Sequence, residues 1–208
     1  MSHPIDPFIA LSTGGKFYPL GTDPDRVDIR DIAHSLSQQC RYAGHTSEFW
    51  SVAAHSLEVS RRVEERCREW LRDNNDPSSP YHLRLDAALG YSTPERAALV
   101  ALLHDASETY LQDIVRPIKP LVHGYAQWEE SCERAIAQRF GLPHPWGHLV
   151  KAVDDAMVQD EVAQFFPPGS AAWKRYGITE RRDYLTPLSP LVARTLFLDR
   201  FYELGGVA

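Results

Sequence analysis

Only three cysteines, Cys40, Cys67 and Cys132, occur in 208 residues, and no two are near each other in sequence. They form neither a zinc-type pair nor a disulfide framework, which points to a reducing compartment. No apolar run reaches the roughly 18 residues of a membrane span. The opening Met1-Ser2-His3-Pro4-Ile5-Asp6 has none of the basic and apolar regions of a signal peptide. These absences predict a cytoplasmic protein with no membrane partner. Basic side chains are also in deficit, 22 against 28 acidic, for a formal net charge of −6. That balance argues against a nucleic-acid footprint, although a local basic cluster inside a pocket is compatible with it. Internal repeats and low-complexity tracts are missing, and strand signals are few.

What remains is ordinary globular material. The chain suits a single domain, 1–208, large enough to bury about 70% of its unfolded surface. Residues 1–27 are rich in Pro, Gly and Asp, and Phe8-Ile9-Ala10-Leu11 and Lys16-Phe17-Tyr18 flank Ser12-Thr13-Gly14-Gly15 as a small hairpin would. A short helix opens at Asp28 or Arg30. A second runs from an N-cap at Thr46 to about Leu71, with Val52, His55, Val59 and Val63 on one apolar stripe. Asp73 to Pro80 reads as a loop. Thr93-Pro94-Glu95 is a well-formed helix start, and the helix it opens should last until Pro117 and Pro120 intervene. Further helices are expected over Tyr125–Phe140, Gly147–Phe165 and Leu191–Leu204, the last preceded by a polar loop within the 170–208 tail. The fold class is all-α.

The most apolar segment, Ala98 to Leu103, runs straight into His104-Asp105, with Glu108 three positions further on. Either the helix surfaces there, or a buried His-Asp pair must be compensated by hydrogen bonds, counter-charge or a metal. Two other helices also carry an ionisable residue on a core-facing stripe. His55 is one, and Asp154, in phase with Val150 and Met157, is the other; Asp155 is rotated about 100° toward solvent. Taken singly, each has a dull explanation as a satisfied core histidine or a capping aspartate. Together, two imidazoles and two carboxylates form a mixed N/O set suited to Zn²⁺, Mn²⁺, Fe²⁺ or Co²⁺ and poorly suited to Ca²⁺.

The order His55, His104-Asp105, Asp154 resembles the signature of the HD-domain metal-dependent phosphohydrolases. His104-Asp105-Ala106-Ser107-Glu108, then Asp113 and Pro117-Ile118-Lys119, is similar to the YfbR-type 5′-deoxynucleotidases and to phage dATP triphosphohydrolases. Asp31-Ile32-Ala33-His34, Cys40-Arg41-Tyr42 and Ser51-Val52-Ala53-Ala54-His55-Ser56 fit the same group, so the resemblance covers residues 28–161 and leaves the hairpin, the 73–93 segment and the C-terminal tail outside it. It implies an HD-type helical bundle with His55, His104, Asp105 and Asp154 holding a divalent transition metal (Co, Mn, Zn or Fe), with Mg a further candidate. It implies attack of a metal-activated water on phosphorus of a deoxynucleotide, a dNMP or a dNTP, with dATP one candidate. Glu108 and Asp113 would manage the proton, Arg41 and Lys119 would contact phosphate, Tyr42 would lie near sugar or base, and His45 would reach phosphate or hold its loop. Tyr42 stands where the related nucleotidases have Trp, which leaves base preference open. The resemblance also implies a homo-oligomer. Two other readings stand beside it: hydrolysis of another phosphoester, such as a cyclic dinucleotide or an alarmone, and a non-catalytic nucleotide-binding module.

Overall fold

The computed structural model describes residues 8–19, 22–74 and 91–208. Of the loop expected over Asp73 to Pro80, Asp73 instead ends a helix, and residues 75–80 lie outside the described residues. The chain is all-α with a small N-terminal hairpin. Strands β1 (Ile9–Ala10) and β2 (Lys16–Phe17) pair antiparallel, Ile9 opposite Phe17. Eight α-helices follow among the described residues: α1 (Ile29–Gln38), α2 (Val52–Asp73), α3 (Pro94–Leu102), α4 (Glu108–Leu111), α5 (Tyr125–Arg139), α6 (His148–Phe165), α7 (Ala171–Tyr176) and α8 (Pro190–Glu203).

The hairpin is fastened to the bundle by both of its ends. Its tip wraps the Asp31 carboxylate of α1: Ser12 Oγ donates at 2.6 Å, Thr13 N at 2.9 Å and Thr13 Oγ1 at 2.7 Å. Its base buries Phe17, whose ring stacks on Tyr110 of α4 at 3.6 Å between centroids. Gly14 supplies the positive φ the turn requires.

Helix α2 is the spine. It packs along α3 and also meets α1, α6 and α8. The stripe expected from its sequence is the buried one, with Val52, His55, Val59 and Val63 all fully covered. Its start differs from expectation. Ser51, not Thr46, is the N-cap, accepting from Ala54 N at 3.1 Å. Thr46 cannot open the helix because Cys40 and Ser51 form an isolated bridge. Arg41 N donates to Trp50 O and Val52 N to Gln39 O, which closes residues 40–51 into a loop. Thr93, by contrast, caps α3 as expected, accepting from Arg96 N at 3.1 Å.

Two further expectations fail for local reasons. The apolar helix does not run on toward Pro117: α3 ends at Leu102. Residues 103–107 then tighten into turns with bonds three residues apart, such as Ala106 N to Leu103 O and Glu108 N to Asp105 O. The single turn α4 follows and stops at Gln112, whose φ is 69°. The stretch after Pro168, expected as a loop, contains α7, capped by Ser170 and docked on α6 through Trp173.

Phe197 and Phe201 of α8, compatible on sequence grounds with an interface or with the core, belong to the core, where they are fully buried. Phe201→Ala should therefore lower the unfolding free energy by about 3–5 kcal/mol in a urea titration. The half-exposed neighbour Tyr202 should tolerate alanine within about 1 kcal/mol. Equal losses at the two positions would contradict this packing.

Candidate metal centre

Three elements deliver the expected ligands to one point. His55 comes from the first turn of α2, held there by the Ser51 cap. His104 comes from the turn after α3, and Asp154 from the middle of α6. One ligand atom from each lies within 4.8 Å of the others, and all three residues are buried. His55 Nε2 is 3.2 Å from Asp154 Oδ1, and His104 Nε2 is 3.9 Å from the same oxygen. Asp105 joins them from the side: its Oδ2 is 3.2 Å from His104 Nε2 and 3.7 Å from His55 Nε2. Asp155 points away, its side chain 49% exposed against 11% for Asp154, and it pairs with Arg116 and Lys151 at the surface. Asp154 thus faces inward and Asp155 outward, as helical phase predicts.

Each imidazole is oriented through its other nitrogen. His104 Nδ1 donates to Ala101 O at 2.8 Å, using a carbonyl that the end of α3 leaves free. His55 Nδ1 donates to Glu161 Oε1 at 2.6 Å. Both rings therefore turn Nε2 inward, and neither Nε2 has a hydrogen-bond partner although both are fully buried. An orphaned pair of ring nitrogens beside two carboxylates is costly unless a proton or a metal cation takes the lone pairs. The donor set thus fits a divalent metal, with Nδ1–H partners of the kind that set tautomer and ring angle in metal sites.

Glu161, one face of α6 below Asp154, is the hub of this support. Trp50 Nε1 donates to its Oε1 at 2.7 Å, Tyr42 Oη to its Oε2 at 2.6 Å and Arg41 Nη2 to its Oε2 at 3.4 Å. Burial alone would raise the Glu161 carboxyl, but Arg41 and His55 outweigh it and hold it down at about 2. Burial and Arg41 oppose charge on His55, yet Glu161 and Asp154 lift it to about 9. Burial likewise works against charge on Asp105 and Asp154, and the adjacent imidazoles more than reverse it, so both carboxyls lie far below the usual range.

The acids assigned to proton transfer behave oppositely. Glu108 is pushed well above the usual carboxylate range, first by burial and then by the charges of Asp105 and Asp113. Its Oε2 is buried without a partner. Asp113 is also raised, chiefly by burial, and its backbone N–H is held by Gln39 Oε1 at 3.0 Å. Both line a cavity of about 1040 Å³ that opens beside the metal ligands.

Arg41, Tyr42, His45 and Lys119 line the same cavity, so every residue singled out from the sequence gathers here except His55, which lies beneath its floor. Their engagements differ from simple substrate contacts. Arg41 is nearly buried and bridges Asp105 (3.3 Å) and Glu161. Tyr42 spends its hydroxyl on Glu161 and sets its ring edge-on to Phe166 at 5.2 Å between centroids. Lys119 pairs with Glu129. His45 is exposed at the rim. Tyr42 and the following Ala43 both adopt positive φ, 56° and 51°, a strained turn that points the Arg41-Tyr42 pair inward.

Sequence reasoning missed three participants. Glu161 was visible as an acid on the buried stripe of its helix, seven residues after Asp154, and that was its signal. Arg116 holds Asp154 Oδ2 at 2.8 Å and Asp155 Oδ1 at 2.8 Å from within the cavity wall. Trp50 carried no signal, because only the loop closure brings its indole to Glu161.

No family model matches the sequence. Among known proteins, it is 40% identical over 120 residues to a Rhodopseudomonas palustris protein named N-(5′-phosphoribosyl)anthranilate isomerase, over 53% of this chain and 50% of that one. An uncharacterized protein of Rhodobacter capsulatus is 32% identical over 161 residues, 74% of this chain and 70% of its own length. The similarity to the uncharacterized protein YfdR of Escherichia coli spans nearly everything: 32% identity over 200 residues, 95% of this chain and 96% of YfdR. With both chains covered almost end to end, this protein belongs to the YfdR family.

Proposed function

We propose that this protein is a metal-dependent phosphohydrolase of the HD type acting on deoxynucleotides. The observation that carries the reading is the pair of buried, partnerless Nε2 atoms of His55 and His104 facing Asp154 and Asp105 at one end of a large cavity. These four side chains would hold the cation. When bound, a divalent metal there supplies Lewis-acid polarisation of a phosphoryl oxygen and a nucleophile at neutral pH.

The chain's own residues account for the rest. Arg41, Arg116, Lys119 and Lys151 all line the cavity and offset the charge of a phosphate brought against the site carboxylates. Glu108, whose carboxyl burial and the neighbouring carboxylates push well above the usual range, is the group suited to hand a proton to the departing ester oxygen. Asp113, on the same cavity wall and made more basic by burial, accepts in its ionised form the proton released by the attacking water. Tyr42, Trp50 and Glu161 hold the His55 ring in the orientation that frees Nε2.

The test is phosphate or triphosphate release from a dNMP and dNTP panel with Co²⁺ or Mn²⁺. Turnover of at least one deoxynucleotide is expected. Glu108→Gln should lower kcat by about 10²–10⁴-fold with metal content unchanged. Metal-loaded protein that releases nothing from any nucleotide would overturn the reading.

A further inference from the structure

The cavity is far larger than a phosphate requires, and its far end is apolar. The wall facing it from α6 is a single ridge, Lys151, Asp154, Val158 and Val162, at helical spacings of three, four and four. Eight residues separate Asp154 from Val162, about 12 Å at the helical rise. The ridge therefore leads from the metal ligand to the hydrocarbon in a straight line. Its apolar end is closed by α7, which contributes Ala172 and Tyr176.

This end is rigid. Val158, Val162 and Trp173 form a small core separate from the main one, with Tyr42, Phe166, Ala172 and Tyr176 packed against it. The Trp173 indole donates to both Val162 O and Phe166 O at 3.0 Å, which fastens α7 across the end of α6. Two tyrosine rings, Tyr42 and Tyr176, thus border one preformed apolar recess. Arg175 stands at its rim and, among the described residues, forms no ion pair with a carboxylate.

We infer that the α6–α7 wall is the subsite for the nucleobase, with Ala172 and Tyr176 setting which ring system fits. The inference takes its substrate class from the phosphohydrolase reading above. The reasons are continuity and chemistry: cations and carboxylates at the metal end receive phosphate. A flat, uncharged ring then falls about a nucleotide's length away, beside the lining tyrosines Tyr42 and Tyr176, whose rings are groups a base can stack on. The recess floor of Val158 and Val162 offers a charged group no hydrogen-bond partner. Arg175 stands at the rim, so the interior suits an uncharged ring better than phosphate.

Deoxyadenosine and inorganic phosphate, which carry the base and the phosphate chemistry apart, serve as separate probes. Their binding to the Mn²⁺-loaded full chain is measured by calorimetry, alongside metal content and circular dichroism. Ala172→Trp, which fills the recess, and Tyr176→Ala, which removes one of its aromatic faces, should each weaken deoxyadenosine about tenfold. Phosphate affinity and metal content should stay within about twofold of wild type. The variants change volume in opposite directions, so a fold defect in one, visible as loss of both probes, does not remove the test from the other. Unchanged deoxyadenosine affinity in the folded variants, or a wild type that binds phosphate and not deoxyadenosine, overturns the subsite. Variant-sensitive deoxyadenosine binding with no phosphate release from any nucleotide keeps the subsite and overturns the hydrolase.

Discussion

His104→Ala is expected to leave the purified protein without stoichiometric metal, read by elemental analysis after dialysis against trace Mn²⁺ or Zn²⁺. His55→Ala and Asp154→Asn should do the same. The reason is the geometry of the shared point: His55 Nε2 and His104 Nε2 have no other partner, and Asp154 Oδ1 lies between them. Removing any one leaves a divalent cation short of the ligands that orient it, a loss on the order of 10²-fold or more in affinity. Asp155→Asn is the matched control. It changes the same functional group one position along the same helix, on a side chain that is half exposed and paired with Arg116 and Lys151. Its metal content should equal that of wild type. A His104→Ala protein that keeps one equivalent, or an Asp155→Asn protein that loses it, would show that the ligands lie elsewhere.

The second large effect should come from a residue that touches no metal. Glu161→Ala strands four donors at once: Arg41 Nη2, Tyr42 Oη, Trp50 Nε1 and His55 Nδ1. Deleting one partner of a buried ion pair costs about 3–5 kcal/mol, because the remaining charge keeps its desolvation penalty. Urea unfolding in the presence of EDTA measures that loss without contribution from metal binding. The same variant should bind metal about 10–100-fold more weakly, since the His55 ring loses the acceptor that fixes its tautomer. Glu161→Gln retains an acceptor of the same shape and should recover part of both losses. If Glu161→Ala is within about 1 kcal/mol of wild type, the hub is not carrying the buried charges as described.

The two predictions also separate what each kind of residue contributes. His104 sits where α3 gives way to turns, so its removal costs coordination and little packing. Glu161 is enclosed on every side and anchors the 40–51 loop through Tyr42 and Trp50, so its removal reaches both stability and the metal site.

The helix-by-helix pattern was legible in the amino-acid order because it rests on local chemistry. The Val52-His55-Val59-Val63 stripe, the Thr93-Pro94 start and the phase that sends Asp154 inward and Asp155 outward depend only on spacing along one helix, and each holds in the structure. The convergence of His55, His104 and Asp154 was inferred from a shared resemblance and from three inward-pointing polar residues, not from any spacing between helices. What escaped was set by contacts between distant segments. The start of α2 moved from Thr46 to Val52 because residues 40 and 51 bridge. Helix α3 stopped at Leu102, where the following turn lets the His104 ring reach Ala101 O and Asp105 reach Arg41. Helix α7 went unseen because six residues carry too little periodicity to register, and it is held by Trp173 against α6. Composition, helical phase and capping thus settle the all-α class and which side chains face inward, since those follow from short-range sterics and burial. Only tertiary packing decides that Glu161 unites Arg41, Tyr42, Trp50 and His55, because the hydrogen bonds of a buried carboxylate are chosen by whichever donors the fold brings within about 3 Å of it.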